Sequence, residues 1–221
     1  MQPDFWHTRW RTGQIGFHQP AVDRHLLEHW PSLDVASAGH VFVPLCGKSL
    51  DLLWLLERGH RVSGVEISAV ALESFCMDHG IPARRRTHDG FDVYETASLE
   101  LYCGDFFALT PKLLGPLSAV YDRAALISWA PELRPAYVAH MTSLTSPGTQ
   151  TLLITLEYPQ AQMSGPPFSV DAEEVERLYA RTHTIQQLSR DDILASEPRL
   201  TSRGVKQLNE VCYRLTRFAQ Q

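Results

Sequence analysis

Short segments with the apolar pattern of β-strands alternate with helical segments along most of the chain. His40–Leu45 is predicted to form a buried strand, Ser49–Arg58 a helix, and Arg61–Ile67 a second strand. Ser68 is predicted to cap the next helix, which ends before Pro82. Repeated alternation of strand and helix predicts an α/β fold with a mostly parallel sheet.

The rest of the chain carries further strand and helix signals. Pro131 is predicted in the first turn of a helix, and Asp171 followed by Glu174 predicts a capped helix start. The remaining strand segments are a hairpin of Phe91–Thr96 with Leu99–Cys103, then Ser118–Tyr121, Thr151–Leu156, and an antiparallel edge pair of Thr184–Leu188 with Val211–Thr216. We expect a single domain over 1–221, with N-terminal lid helices in 1–30 and an α/β core in 38–221.

Composition and charge argue against several classes of function. The 221 residues carry a formal net charge of −5, and the only dense basic run is Arg84–Arg86, which argues against a nucleic-acid partner. The longest strongly apolar run, Leu52–Leu56, is far too short for a membrane span. The N-terminus lacks the basic flank and apolar stretch of a signal peptide. The four scattered cysteines are typical of free thiols in a reducing compartment. We therefore expect a cytoplasmic protein without a metal site.

One turn and one acidic residue predict a nucleoside ligand. Ligands of parallel sheets lie beyond the carboxyl ends of the strands, and Pro44–Ser49 follows the first strand with a single glycine, Gly47. The turn lacks the G-x-G-x-x-G dinucleotide pattern and the second glycine of a phosphate-binding loop. Glu66 ends the second strand 19 residues after Gly47, close to the spacing at which a carboxylate binds a ribose diol. S-adenosylmethionine fits these features better than a dinucleotide, because it has no pyrophosphate.

Two tryptophans near the N-terminus are a second signal. Trp6 and Trp10 are four residues apart, so on a helix they share a face. They can act as an apolar staple that pins a terminal helix to the core. They can also form a lid, since indole rings attract a sulfonium cation and exclude water from the site of methyl transfer.

Five stretches of the chain carry a resemblance to a known family. They are DFWHTRWRTGQIGFHQP, VFVPLCGKSLDLLWLLERGHRVSGVEIS, LYCGDFF, YDRAAL and SGPPFSV. Through them the sequence resembles the thiopurine S-methyltransferase family, in particular its bacterial members, from Asp4 to about Val170. The resemblance implies a seven-stranded, Rossmann-like methyltransferase fold with helices on both faces, and methyl transfer to aromatic and heterocyclic thiols.

The resemblance also implies roles for individual residues. Phe17 falls on the substrate-side phenylalanine of the family, and Arg199 falls at or near its substrate-side arginine, with Arg203 close by. Arg123 is the candidate catalytic residue, since its cation can hold negative charge on the donor or near an acceptor thiolate. A structural ion pair with a nearby aspartate is the alternative for this arginine. The positions implied to bind the donor are Trp6, Trp10, Leu45, Glu66, Asp105, Phe106 and Arg123, and Gly47 is added from its place in the turn.

The predicted reaction is an in-line displacement that converts S-adenosylmethionine to S-adenosylhomocysteine. An acidic thiol supplies its own thiolate, so the main task of the protein is alignment in a dry pocket. A small-molecule thiol is the expected partner, and a monomer is expected. The resemblance also allows selenium or tellurium compounds as acceptors. The alternatives are another small anionic acceptor, such as a carboxyl group or a halide, a nicotinamide-dependent oxidoreductase, and a non-enzymatic protein that binds anions or metalloids.

Overall fold

The computed structural model describes residues 3–219 of the 221-residue chain. The described residues divide into two compact units, 3–121 and 122–219. Each unit is built around β-strands. Within the described part of the chain, no helix is both long enough and apolar enough to cross a membrane.

The first unit contains the strand–helix alternation that the sequence predicts. Its helices are α1 (Pro3–Arg11), α2 (Arg24–His29), α3 (Asp51–Glu57), α4 (Ala69–Asp78) and α5 (Pro111–Leu114). Its strands are β1 (His40–Val43), β2 (Arg61–Glu66), β3 (Arg84–His88), β4 (Phe91–Glu95), β5 (Leu99–Cys103) and β6 (Ala119–Arg123), whose last two residues belong to the second unit. Short 3-10 turns cover Trp30–Leu33 and Phe106–Ala108.

The strands of the first unit form a sheet with the order β3-β4-β5-β2-β1-β6. β5, β2, β1 and β6 are parallel, and β4 joins β5 as the antiparallel partner that the hairpin pattern predicts. Every residue of β1 is buried, and so is every residue of β2 after Arg61. Burial on both faces is typical of central strands of a parallel sheet, and it explains the apolar run Val41–Val43 in β1. β2 also buries the polar residues Ser63 and Glu66.

The basic run at residues 84–86 forms part of a strand, which the sequence did not predict. β3 pairs with β4 in antiparallel register, from Arg84 opposite Glu95 to His88 opposite Phe91. The strand has no apolar alternation because nearly all of its residues are exposed. Arg85 instead pairs with Asp92 at 2.9 Å across the strands. Arg86 pairs with Glu95 on β4 in the same way. Two of the three arginine charges of this run are therefore paired within the sheet.

The second unit is an antiparallel arrangement with two longer helices. Its helices are α6 (Arg134–Leu144), α7 (Ala172–Tyr179) and α8 (Pro198–Thr201), its strands are β7 (Gln150–Glu157), β8 (His183–Asp192) and β9 (Asn209–Arg217), and its 3-10 turns are Leu126–Ser128, Pro131–Leu133, Gln160–Gln162 and Leu194–Ser196. The strand order is β7-β9-β8, with both pairings antiparallel. The predicted C-terminal strand pair is confirmed, although both strands are longer than predicted.

A buried arginine explains why the helix predicted at Pro131 begins later. Residues 131–133 form a 3-10 turn, and α6 begins at Arg134, whose side chain is fully buried. Arg134 donates from Nε to the carbonyl of Trp129 at 3.0 Å and from its guanidinium to the Glu174 carboxylate. The Asp171 side chain caps α7, as predicted, by accepting the Glu174 N–H at 2.8 Å. The Glu174 carboxylate does not cap its own helix and instead accepts from the Arg134 guanidinium.

The described residues contain nine strands, two more than the seven implied by the family resemblance. The β3–β4 hairpin precedes β5 and accounts for the difference. The helix predicted from Ser49 begins at Asp51, and the Ser49 Oγ accepts the N–H of Asp51 at 3.2 Å. Ser68 occupies the N-cap position of α4, as predicted, but its side chain makes no capping hydrogen bond.

Candidate functional site

The carboxyl ends of β1, β2 and β5 meet in the first unit. The N–H of Cys46, just after β1, donates to the carbonyl of Val65 at 2.9 Å. The N–H of Gly104, just after β5, donates to the carbonyl of Glu66 at 2.9 Å. These bonds bring three predicted segments together at one edge of the sheet, where parallel sheets bind their ligands.

The turn after β1 has two residues with left-handed backbone. Leu45 has φ of +46° and Gly47 has φ of +54°. A Cβ at Gly47 would lie 3.0 Å from Cζ2 of the Trp10 indole, so the ring packs directly on the backbone. The left-handed backbone and this close approach both favour glycine at the position. The predicted donor residues Leu45, Gly47 and Trp10 therefore lie together.

Glu66 is a buried carboxylate that holds the backbone on both sides of it. Its side chain accepts the Gly47 N–H at 3.1 Å through Oε2 and the Ser68 N–H at 2.9 Å through Oε1. The residue is only 5% exposed. Burial raises the pKa of Glu66 from 4.5 to about 7, although the hydrogen bonds from Ser68 and Gly47 favour the ionised form and act in the opposite direction.

The Glu66 carboxylate can accept more hydrogen bonds than its backbone partners supply. An ionised carboxylate offers about four lone-pair sites. The N–H groups of Gly47 and Ser68 each bind one oxygen, and the Ile67 N–H also acts on the carboxylate. The remaining acceptor capacity suits a hydroxyl donor, such as one of a ribose diol. Hydroxyl donors would also favour the ionised form of this raised-pKa group.

Three aromatic rings cover the N-terminal side of this site. Trp6 and Trp10 lie on α1, as their spacing predicts, and the Phe17 ring lies edge-on to both, with centroid distances of 5.4 Å in each case. Trp10 is buried, whereas Trp6 and Phe17 are half-buried. The Trp6 Nε1 is buried and has no hydrogen-bond partner within residues 3–219. An indole N–H in this state is available to an acceptor on a ligand.

Asp105 and Phe106 follow β5 at the same edge of the sheet. Asp105 is exposed, and its side chain accepts the Phe107 N–H at 3.0 Å, so it caps the 3-10 turn of residues 106–108. Phe106 is buried at 2% exposure. The short turn thus fixes one exposed carboxylate and one buried ring beside the end of β5.

Cys46 lies in the turn after β1 without the surroundings of a nucleophile. The residue is 6% exposed. Burial raises the pKa of its thiol well above 9.0, and the nearby Glu66 carboxylate acts in the same direction. A thiol that is held protonated is unreactive, so the interpretation of Cys46 as a small buried residue is retained.

Sequence reasoning missed the contacts of Lys48 and the backbone role of Ser68. The Lys48 ammonium donates to Ser74 Oγ at 3.2 Å and to Asp78 Oδ2 at 3.0 Å, both on α4. No spacing rule joins residues so far apart, since they meet only after the chain has passed through β2. The Ser68 N–H binds Glu66 two residues earlier, a local pattern that a carboxylate before a helix start could have indicated.

The other two predicted site residues, Arg123 and Arg199, belong to the second unit. Arg123 is the last residue of β6 and is half-buried, and Ala124 after it has a left-handed φ of +60°. Its neighbour Asp122 is buried and accepts the Tyr137 hydroxyl at 2.7 Å, while burial raises the pKa of Asp122 to about 6. Arg199 lies on α8 and is exposed.

A family model for thiopurine S-methyltransferase matches residues 1–218. The chain belongs to the thiopurine S-methyltransferase family. A thiopurine S-methyltransferase of Pseudomonas fluorescens (strain Pf0-1) is 46% identical over 215 residues, which cover 97% of this chain and 99% of the relative. One from Nitrosospira multiformis is 44% identical over 215 residues, with 97% and 98% covered. Membership of this family makes the chain an S-adenosylmethionine-dependent methyltransferase.

Solved structures of other methyltransferases share the fold. The 1,6-didemethyltoxoflavin-N1-methyltransferase of Burkholderia thailandensis, solved with S-adenosylhomocysteine, superposes with a TM-score of 0.64 at 14% identity, covering 98% of this chain and 87% of that one. The N-methyltransferase NodS of Bradyrhizobium japonicum WM9, also solved with S-adenosylhomocysteine, gives 0.60 at 12% identity, covering 88% and 85%. The predicted Rossmann-like methyltransferase fold is confirmed.

Proposed function

We propose that this member of the thiopurine S-methyltransferase family transfers the methyl group of S-adenosylmethionine to the sulfur of small aromatic or heterocyclic thiols. Glu66 carries the proposal, because its buried carboxylate ends β2 and retains acceptor capacity for a ribose hydroxyl beyond its backbone N–H partners. The donor supplies an electrophilic methyl on a sulfonium. The bond from that methyl to the donor sulfur breaks as a new bond to the acceptor sulfur forms.

The aromatic rings of the N-terminal segment suit the positive charge of the donor. Trp10 packs on the turn that contains Gly47, and Trp6 is in edge contact with Phe17. Indole faces attract cations, and the attraction is stronger where water is excluded. We assign Leu45, Asp105 and Phe106 to the same donor pocket because they follow the same strand ends.

On the family resemblance, we assign Phe17 and Arg199 to acceptor binding, and Arg123 to catalysis and donor binding. Phe17 offers a half-buried ring for a planar heterocycle. Arg123 ends β6, where its cation can bind the donor carboxylate or offset the charge of a thiolate. No general base is assigned, since a thiol that ionises near neutral pH brings its own nucleophile.

An acceptor screen with labelled S-adenosylmethionine tests the proposal. We expect methylated sulfur products from thiophenols and mercapto-heterocycles, and no comparable turnover of matched phenols, anilines or benzoates. Across substituted thiophenols, the midpoint of the pH–rate profile should move with the pKa of each acceptor. A midpoint that stays constant across acceptors of different acidity would indicate an essential base in the protein and refute the mechanism.

The range of acceptors and the setting of the protein are part of the same proposal. Selenols and tellurium compounds belong in the screen, because their anions are soft nucleophiles like thiolates. We infer action as a monomer in the cytoplasm, and the four free cysteines fit a reducing compartment. Sedimentation at several protein concentrations checks the monomer, and a higher mass would contradict it.

A further inference from the structure

Three side-chain contacts and the backbone itself join the donor turn, Glu66 and α4 in a closed ring. Gly47 donates its N–H to Glu66 at 3.1 Å, and Glu66 accepts the Ser68 N–H at 2.9 Å. Ser68 precedes the first residue of α4. The ring closes through Lys48, the residue after Gly47, whose ammonium lies 3.0 Å from Asp78 Oδ2 at the last residue of α4. The turn is therefore bound to α4 at both ends of the helix.

The Lys48 side chain is partly buried and is held by two hydrogen-bond partners, unlike a fully exposed surface ion pair. Its side chain is only 18% exposed, against 50% for Asp78. Ser74 accepts from Lys48 at 3.2 Å and donates to Asp78 at 3.0 Å, so the three side chains form a small network. The Lys48 ammonium also lowers the pKa of Asp78 below its ordinary value, chiefly by hydrogen bonding.

The helix α4 also supports the N-terminal rings. α1, which carries Trp6 and Trp10, packs against α4. The Trp10 ring packs on the Gly47 backbone, where a side-chain Cβ would lie 3.0 Å from the indole Cζ2. One helix thus contacts the segment that covers the donor turn, and through Lys48 it contacts the turn itself.

We propose that Lys48 is a positioning residue for the donor: by linking the turn to Ser74 and Asp78 on α4, it holds the Gly47 N–H against the Glu66 carboxylate. The inference rests on the proposed donor site at Glu66. Lys48 acts on that site through the backbone of its neighbour, without a contact to the donor of its own. The carboxylate is thereby kept in the orientation that leaves its free lone pairs toward the ribose.

The test uses the full chain with Lys48→Met, which keeps the aliphatic stem and removes the charge. Titration calorimetry with S-adenosylhomocysteine should give a Kd about fivefold higher than wild type, the scale of a well-formed ion pair. Lys48→Arg should restore most of the affinity, because arginine keeps the charge and the reach. In the free protein, hydrogen exchange of the Gly47 amide followed by NMR should accelerate by a similar factor, roughly fivefold.

Two further variants separate this role from others. Asp78→Asn should weaken donor binding in the same way, and the Lys48→Met/Asp78→Asn double variant should be no weaker than Lys48→Met alone. Arg61→Met is the matched control, since it breaks the 2.5 Å Arg61–Glu100 pair at the start of β2 and should leave the Kd unchanged.

Several results would overturn the proposal. Equal Kd values for Lys48→Met and Arg61→Met would remove any specific role of Lys48. Normal donor affinity in Asp78→Asn, beside a loss in Lys48→Met, would mean that Lys48 contacts the donor directly. If replacing Glu66 leaves donor affinity intact, the proposed donor site fails by itself. The Gly47 amide still reports the Lys48 link in that case, because its exchange is measured without donor.

Discussion

Replacing Glu66 by glutamine should weaken donor binding and remove a specific pH dependence. The side chain keeps its shape, but it loses its charge and one of its two acceptor oxygens. One of the N–H groups of Gly47 and Ser68, which Glu66 binds at 3.1 and 2.9 Å, then faces an amide NH₂. Loss of charge-assisted hydrogen bonds to the ribose should cost about 1.5–3 kcal/mol. That loss corresponds to a Kd roughly 10- to 150-fold higher.

The pKa of Glu66 sets the pH dependence of both affinity and stability. Burial raises it from 4.5 to about 7, so between these pH values the folded chain binds more protons than the unfolded chain. The contribution of Glu66 to the free energy of unfolding therefore falls by about 3 kcal/mol as pH rises from about 4.5 to about 7. Above pH 7 this contribution no longer changes with pH. Donor affinity should instead rise with pH up to about 7, because the ribose hydroxyls bind the ionised form.

Calorimetric titration with S-adenosylhomocysteine at pH 5.5, 6.5, 7.5 and 8.5 measures the effect. The ratio of wild-type to variant Kd cancels the ionisation of the ligand's own groups. Glu100→Gln is the matched control, because Glu100 lies in the same sheet on β5 and pairs with Arg61 at 2.5 Å. The control should bind donor like wild type. A Glu66→Gln protein with unchanged affinity, or with the pH dependence of wild type, would refute the assignment.

Four other predictions follow from the described geometry. Gly47→Ala should lower the free energy of unfolding by about 1–2 kcal/mol, because alanine disfavours the positive φ. The melting temperature and the donor affinity should both fall. Unchanged values would mean that the turn relaxes to accept alanine. Arg134→Met should destabilise the chain by about 3 kcal/mol in denaturant titration, because the Glu174 carboxylate loses its buried partner, and a loss below the error of the fit would contradict this. Arg123→Lys should lower kcat/KM about tenfold, since the planar fork is lost, with the melting temperature unchanged; full activity would remove Arg123 from the site. Residues 3–17 should gain protection from hydrogen exchange when S-adenosylhomocysteine binds, whereas equal protection would leave only the apolar staple.

The apolar pattern predicts the first unit well where burial alone determines structure. β1 and β2 are buried on both faces, and the apolar run of β1 and the valines of β2 identify them. The sequence spacing from Gly47 to Glu66 identifies the site at their carboxyl ends. β3 could not be found in this way. It is an exposed strand whose arginines pair with acids on neighbouring segments, and its residues show no alternation.

Side-chain networks are what the sequence could not predict. The start of α6 depends on burial of Arg134 against Glu174, which lies forty positions further along the chain. The Lys48 link forms because α4, which follows β2, passes beside the turn after β1, and neither residue type nor spacing indicates it. The family resemblance supplies candidate residues, but roles for Phe17, Arg123 and Arg199 stay predictions until the variants are measured.

The hydrogen bond from Gly47 to Glu66 has a consequence for ligand choice. In dinucleotide-binding turns, the first glycine-rich turn presents its backbone N–H groups to a pyrophosphate. Here the Gly47 N–H is already taken by an anion of the protein itself, at 3.1 Å. A phosphate arriving at this turn would meet a resident negative charge instead of a free donor. The Gly47 N–H is therefore not available to a pyrophosphate, which favours a nucleoside without one over a nicotinamide dinucleotide.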